Sequence, residues 1–198
     1  GHGVLYEHVD HPNFGFAHVL RKVNPRRIAG LDLSCWRNCL AGAEPLDART
    51  LLAFASCFRD NGFDIASIMP SYGLAEATLV TTMPDPGMRP RAAIVETSSV
   101  TRLAGIELRT GLALEDLTDA MLGPDDTVVM ALGTPAKNMD ITLVDPDGVA
   151  ITDTLLCGEV VVRGPSVTLG YRRPDGTIQP HDPSGFRPAA RRPASGSR

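Results

Sequence analysis

The 198-residue sequence predicts an α/β fold, a parallel βαβ unit followed by a small β-rich subdomain. Two observations predict it. A helical pattern over about 47–60 is flanked by two apolar runs, Cys35–Ala41 and Asp64–Met69, and strand, helix, strand at that spacing calls for a parallel crossover. Beyond residue 131 the helical period gives way to short β-branched runs, Met139–Val144 and Glu159–Val162. The first of these ends in Asp145-Pro146-Asp147-Gly148, a composition that suits a turn.

In chain order, Phe16, Val19, Leu20 and Val23 repeat at helical spacing, with Asn13 positioned to cap the start and Pro25 just past the end. Cys35–Ala41 reads as a buried strand and Gly42-Ala43-Glu44-Pro45 as the turn after it. In the next helix Leu51, Phe54, Ala55 and Phe58 share a face, and Gly62 supplies the stop. Asp64–Met69 is the returning strand. The interval from Val80 to Thr127 reads as a surface excursion with a short amphipathic helix suggested by Leu114, Leu117 and Met121. In the β-rich part Gly164-Pro165 and Gly170 are expected to shape the backbone.

Composition restricts the setting. With 43% hydrophobic and 21% charged residues and a net charge of −4, the chain has the makeup of a globular protein and none of the basic excess of a nucleic-acid binder. No apolar run reaches the ~18 residues of a transmembrane segment, and GHGVLYEHVDHP lacks the parts of a signal peptide, so a cytoplasmic location is expected. Cys35, Cys39, Cys57 and Cys157 are too scattered for a disulfide scaffold and read as reduced thiols. His8, His11 and His18 with Cys35 and Cys39 fit no common zinc spacing.

In open parallel sheets, ligands sit beyond the carboxyl ends of the strands. GAEP and SYGLAE both fall there. Gly42 and Gly73 let backbone approach a flat ligand, Tyr72 offers an aromatic face, and Glu76 offers a hard oxygen for Mg²⁺. Together they describe a nucleotide pocket. The same spacing also accommodates a Glu76 that merely opens a surface helix and a Tyr72 packed in the core.

The series NCLAGAEPL (residues 38–46) and MPSYGLAEATL (69–79) resembles the adenylate-forming enzymes, and within them the fatty acyl-AMP ligases. HPNFGFAHVLRKV (11–23) resembles that family's acyl-pocket segment, with Asn13 and Phe14 at its start. GLDLSCWRNCLAGAEPL (30–46) is similar to its adenine-side strand, ALGTPAKNMDITLVDPDG (131–148) to the entry of its β-rich subdomain, and GEVVVRGPSVTLGY (158–171) to its next core motif.

The resemblance implies ATP-dependent activation of a fatty acid to an acyl-adenylate, chemistry that needs positioning and charge neutralisation rather than a side-chain nucleophile. It implies that the backbone of Gly42, Ala43 and Glu44 faces one side of the adenine and Tyr72 stacks on the other. Gly73, Leu74 and Ala75 would run past the phosphates, and Glu76, the one catalytic candidate, would help hold Mg²⁺. Ala75 stands where many acyl-CoA ligases carry Thr, and MPDPGMRPRAAIVE (83–96) opens what looks like the insertion of acyl-AMP ligases. The implied acceptor is therefore an acyl carrier protein, with an acyl-CoA ligase fragment or a non-catalytic acyl- or partner-binding remnant as alternatives.

The family's upstream phosphate loop, its Arg-Thr-Gly-Asp ribose segment and its terminal-domain Lys have no counterpart in the sequence. The chain is thus expected to be a fragment of a large adenylation domain, inactive alone and prone to self-association through exposed apolar surface. The expected division is 1–80 for the nucleotide- and acyl-binding part, 81–130 for the insertion-like connection, 131–172 for the β-rich subdomain, and 173–198 for a truncated, frameshifted or disordered basic tail.

Overall fold

In the computed structural model, residues 8–99, 108–153 and 156–180 are described. A three-stranded parallel sheet in the order β1-β2-β3 carries the first part of the fold, with β1 at His8–His11, β2 at Asn38–Ala41 and β3 at Ile68–Pro70. Cys39 of β2 pairs with Val9 on one side and Ile68 on the other. The unit is therefore two successive crossovers rather than one, because β1 adds a strand ahead of the first helix.

Two helices make those crossovers, α1 at Asn13–Lys22 and α3 at Ala48–Cys57, with a single turn, α2, at Pro25–Ile28 between α1 and β2. Asp47 starts α3 by accepting the Thr50 N–H at 2.6 Å. A 3₁₀ turn at Arg59–Asn61 then ends on Gly62, whose φ of 83° is the left-handed stop the sequence predicts. Asn13 does not cap α1. The N-cap is Pro12, which has no side-chain bond, and the Asn13 Oδ1 instead accepts the Asp47 N–H at 3.0 Å.

Phe54 is the centre of the core between these helices and the sheet. Its ring meets Phe16 at 5.0 Å, Phe63 at 5.3 Å and Trp36 at 6.2 Å, all edge-on, and Phe58 at 4.8 Å. Edge-on aromatic pairs add ~0.5–1.5 kcal/mol each to the burial of their apolar area. Leu51, Cys39, Ala41 and Ile68 are fully buried in the same cluster.

Both predicted strands are shorter than their apolar runs. Ser34 and Cys35 form a turn, and the Trp36 Nε1–H donates to the Asn38 carbonyl, so pairing begins only at Asn38. Asp64 Oδ1 accepts the Ala66 N–H and starts a 3₁₀ turn at Ile65–Ser67, which leaves only Ile68–Pro70 to the sheet. An aspartate that bonds its own following backbone competes with strand pairing.

The remainder is antiparallel. β4 (Tyr72–Leu74), β5 (Leu79–Met83) and β9 (Thr134–Pro135) form one sheet, and β6 (Arg91–Glu96), β7 (Leu108–Ala113) and β8 (Asp126–Met130) form another in the order β7-β6-β8. The interval from Val80 to Thr127 thus contributes strands to both. The helix suggested by Leu114, Leu117 and Met121 is instead two 3₁₀ turns, Leu114–Asp116 and Asp119–Met121. Leu114 and Leu117 are buried against the aromatic core, so their apolar spacing reflects packing of turns rather than a helix face.

Two hairpins come last among the described residues. β10 (Asp140–Val144) pairs with β11 (Glu159–Arg163), and Asp145-Pro146-Asp147-Gly148 is the expected turn, with Gly148 at φ 83°. β12 (Gly170–Arg172) pairs with β13 (Ile178–Pro180). Residues 173–180, the first part of the segment expected as a tail, form the turn and second strand of this hairpin. Asp175 Oδ1 accepts the Thr177 N–H at 2.9 Å, and Gly176 sits at φ 86°, a turn that the basic composition obscures. Residues 181–198, the rest of the segment 173–198 expected as a tail, lie outside the described residues.

Candidate functional site

Two loops leave the carboxyl ends of β2 and β3 side by side. The Ser71 N–H donates to the Ala41 carbonyl at 2.8 Å, and a Cβ added at Gly42 would stand 2.7 Å from the Ser71 carbonyl oxygen. Gly42 is thus required by the neighbouring loop itself. Ala43 follows in the left-handed region at φ 66°, a conformation uncommon for a residue with a Cβ and one that concentrates at functional sites.

The paired loops separate two cavities. One of about 340 Å³ is walled by Pro12, Leu40, Gly42 and Leu74, with Ala75, Leu79 and Val80 beyond. The other, of about 490 Å³, lies between Glu44-Pro45-Leu46 and Val128, Val129, Met130 and Leu132. Ala43, Ser71, Tyr72 and Gly73 wall both. A flat group in one cavity and a chain in the other would meet at these four residues. The lining of the first is mostly aliphatic, which suits an apolar chain.

Glu44 serves the site structurally as well. Its Oε1 accepts the backbone N–H of Phe14 in the first turn of α1, where an unpaired helix N–H and the positive end of the helix dipole favour a carboxylate. With the Asn13 to Asp47 bond, this fastens α1 to the loop. Asn13 and Phe14 themselves wall neither cavity, and Phe14 is 60% exposed.

Gly73 has a cause within the fold. A Cβ there would lie 1.6 Å from the Leu79 carbonyl oxygen, so β4 and β5 approach only because that position is glycine. The two residues after the Glu76 turn are strained to allow it, with Thr78 at φ 63° and Leu79 at φ 112°. Strain of this kind costs about 1–3 kcal/mol per residue.

Glu76 sits in a 3₁₀ turn, Ala75–Ala77, and walls neither cavity. Its carboxylate accepts the hydroxyl of Tyr171. That hydrogen bond, then burial and the Glu76 charge, push the Tyr171 phenol up. Burial chiefly, with the Glu76 charge added, also pushes the Tyr72 phenol above its usual value. Glu76 is thus electrostatically coupled to the residue that divides the cavities.

Among the described residues no three His, Cys, Asp or Glu side chains cluster as a metal site. One carboxylate is nevertheless an adequate protein share for Mg²⁺, which keeps water and takes substrate phosphates as its other ligands. Sequence reasoning passed over Ser71 and Tyr171. Ser71 opens the motif containing Tyr72, while Tyr171 ends the segment 158–171, which resembles a core motif of the family but was given no site residue.

Two glycine-bearing loops at the carboxyl edge of a parallel sheet, with antiparallel strands completing the cavities, stand where open sheets of this kind hold ligands. The AMP-binding enzyme family matches residues 6–172, and the chain belongs to it. It is 30% identical over 169 residues to the medium-chain-fatty-acid–[acyl-carrier-protein] ligase JamA of Moorena producens, covering 83% of this chain and 26% of that protein. It is 31% identical over 183 residues to the long-chain-fatty-acid–AMP ligase FadD26 of Mycobacterium tuberculosis, covering 92% of this chain and 29% of that one.

Among solved structures, the fatty acid AMP ligase of Legionella pneumophila superposes with a TM-score of 0.72 at 26% identity, over 87% of this chain and 29% of that one. The fatty acyl-adenylate ligase of L. pneumophila in complex with acyl adenylate and pyrophosphate gives 0.71 at 27% identity, over 86% and 28%. The chain therefore spans less than a third of the length of these relatives.

Proposed function

We propose that the chain forms part of a fatty acyl-AMP ligase. A fatty-acid carboxylate attacks the α-phosphorus of ATP, pyrophosphate departs, and the acyl group remains as an adenylate. The observation that carries this reading is the shared wall of the two cavities, Ala43, Ser71, Tyr72 and Gly73. The cavity beside Glu44 suits the adenine, stacked on Tyr72 against the backbone of Ala43 and Glu44; Gly42, expected on the same face, walls the other cavity. The aliphatic cavity beside Leu40 and Leu79 suits the acyl chain.

Leu74 and Ala75 carry the backbone toward the phosphates, and Glu76 supplies the hard oxygen for Mg²⁺. Bound there, Mg²⁺ would neutralise charge on the departing phosphates. Asn13 and Phe14 serve the acyl side indirectly, by anchoring α1 and with it Pro12. An acyl carrier protein is the proposed acceptor, as the name of the Moorena relative states for that protein. The interval 81–130 is the proposed insertion that disfavours CoA. No helix among the described residues is long and apolar enough to cross a membrane, and the proposed location is the cytoplasm.

The test is fatty-acid-dependent release of pyrophosphate by the complete polypeptide, with and without Glu76→Gln. Turnover that falls by about 10²-fold or more supports the assignment, in line with loss of one charge-stabilising group. Unchanged turnover overturns the role of Glu76, and absence of any fatty-acid-dependent release from the wild type overturns the activity.

A further inference from the structure

The segment after β11 is fastened to the turn that carries Glu76 by three hydrogen bonds. The Thr168 N–H donates to the Glu76 backbone carbonyl at 2.7 Å, and the Thr78 hydroxyl donates to the Ser166 carbonyl at 2.8 Å. The third is the Tyr171 hydroxyl on the Glu76 carboxylate. The first joins backbone to backbone and the second a side chain to backbone, each across 88 or more residues of sequence. Only the third reaches the functional atoms.

We infer that Tyr171 is a positioning residue for the metal-binding carboxylate, setting the rotamer of Glu76 so that its oxygens face the cation and the phosphates. This rests on the reading of Glu76 as the Mg²⁺ ligand. A carboxylate has about four lone-pair directions, and one O–H donor uses one of them. The Tyr171 bond can therefore persist while a cation is held. Partners of this kind orient ligating carboxylates, and their loss costs 10–100-fold in metal affinity.

Position in the fold supports the assignment. Glu76 stands on a single 3₁₀ turn followed by two strained residues, so its own element offers little rigidity. Tyr171 stands in β12, paired with β13, and its ring is half exposed, so its hydroxyl is not held there by core packing. The contact also makes the position of Glu76 depend on the docking of the β-rich part.

The experiment uses the complete polypeptide saturated with a non-hydrolysable ATP analogue, titrated with Mn²⁺ and followed by electron paramagnetic resonance. Wild type, Tyr171→Phe and Glu76→Gln are compared, with AMP affinity measured by calorimetry as the control. Phenylalanine keeps the ring, so the variant should fold. The expected result is Mn²⁺ affinity about tenfold weaker in Tyr171→Phe and at least as weak in Glu76→Gln, with AMP affinity unchanged in both. Unaltered or tighter Mn²⁺ binding by Tyr171→Phe, while Glu76→Gln weakens it, overturns the positioning role alone; tighter binding would make the hydroxyl a competitor. Equal loss of Mn²⁺ and AMP binding in Tyr171→Phe assigns it a structural role and likewise overturns the inference. A Glu76→Gln variant that binds Mn²⁺ normally overturns the metal-ligand reading itself, and the inference with it.

Discussion

The Glu44 carboxylate accepts the backbone N–H of Phe14, thirty residues earlier in the chain. A loop proposed to face adenine is therefore also the cap of the helix beside the acyl cavity. Glu44→Ala should destabilise the protein by about 1 kcal/mol, the usual cost of losing an N-terminal cap. Glu44→Gln, which keeps an acceptor oxygen, should lose less. Chemical denaturation of the two variants checks this order, and equal losses would contradict a capping role.

Gly73→Ala should be severe. The new Cβ would collide with the Leu79 carbonyl oxygen, which is backbone and cannot swing away, so a loss of about 3 kcal/mol is expected. Gly111→Ala in β7, where nothing lies within 4 Å of the added Cβ, should be neutral within about 1 kcal/mol. Denaturation midpoints of the pair test whether the glycine of the Tyr-Gly motif is demanded by strand approach.

Phe54→Ala should cost about 3–5 kcal/mol, because the ring is buried and meets four other aromatic rings. Partial unfolding of α3 would accompany it. A loss under about 1 kcal/mol in equilibrium unfolding would mean that the core lies elsewhere.

Stability should fall at alkaline pH through Tyr72. Its phenol is raised above the usual 10.0 by burial and by the Glu76 charge, so the folded state holds the proton more tightly than the unfolded state. The corresponding stability is fully present below pH 10.0 and is lost as pH rises through the raised value. Tyr72→Phe should flatten part of that alkaline loss, read from unfolding curves on either side of the usual phenol value. An identical alkaline slope in the variant would contradict the burial of this hydroxyl.

The isolated 198-residue chain should self-associate, because Leu79, Leu169 and Ile178 are each more than half exposed. Sedimentation should show species larger than the monomer, and a monomer at all concentrations would contradict it.

Much of this organisation was legible in the sequence. Leu51, Phe54, Ala55 and Phe58 marked the buried face of α3 and its C-cap, and Gly62 the end of the 3₁₀ turn that follows it, because helical period and a left-handed stop are local properties. The juxtaposition of Gly42-Ala43-Glu44 with Tyr72-Gly73 followed from the general rule for parallel sheets. The antiparallel strands within 81–130 were not legible, since Ala92, Ile94 and Leu114 become a core only by pairing with distant segments. The roles of Asn13 and Glu44 as fasteners were hidden for the same reason. Each bonds a backbone group thirty or more residues away, and no local pattern encodes such a partner. Tyr171 escaped notice because its partner lies 95 residues distant.

The most direct test of the proposed nucleotide site is the affinity of the complete polypeptide for AMP, measured by calorimetry in the wild type and in Tyr72→Ala. Base stacking on an aromatic ring is worth about 1–3 kcal/mol, so the variant should bind roughly ten- to a hundredfold more weakly while remaining folded. Equal affinity would contradict the placement of adenine against Tyr72.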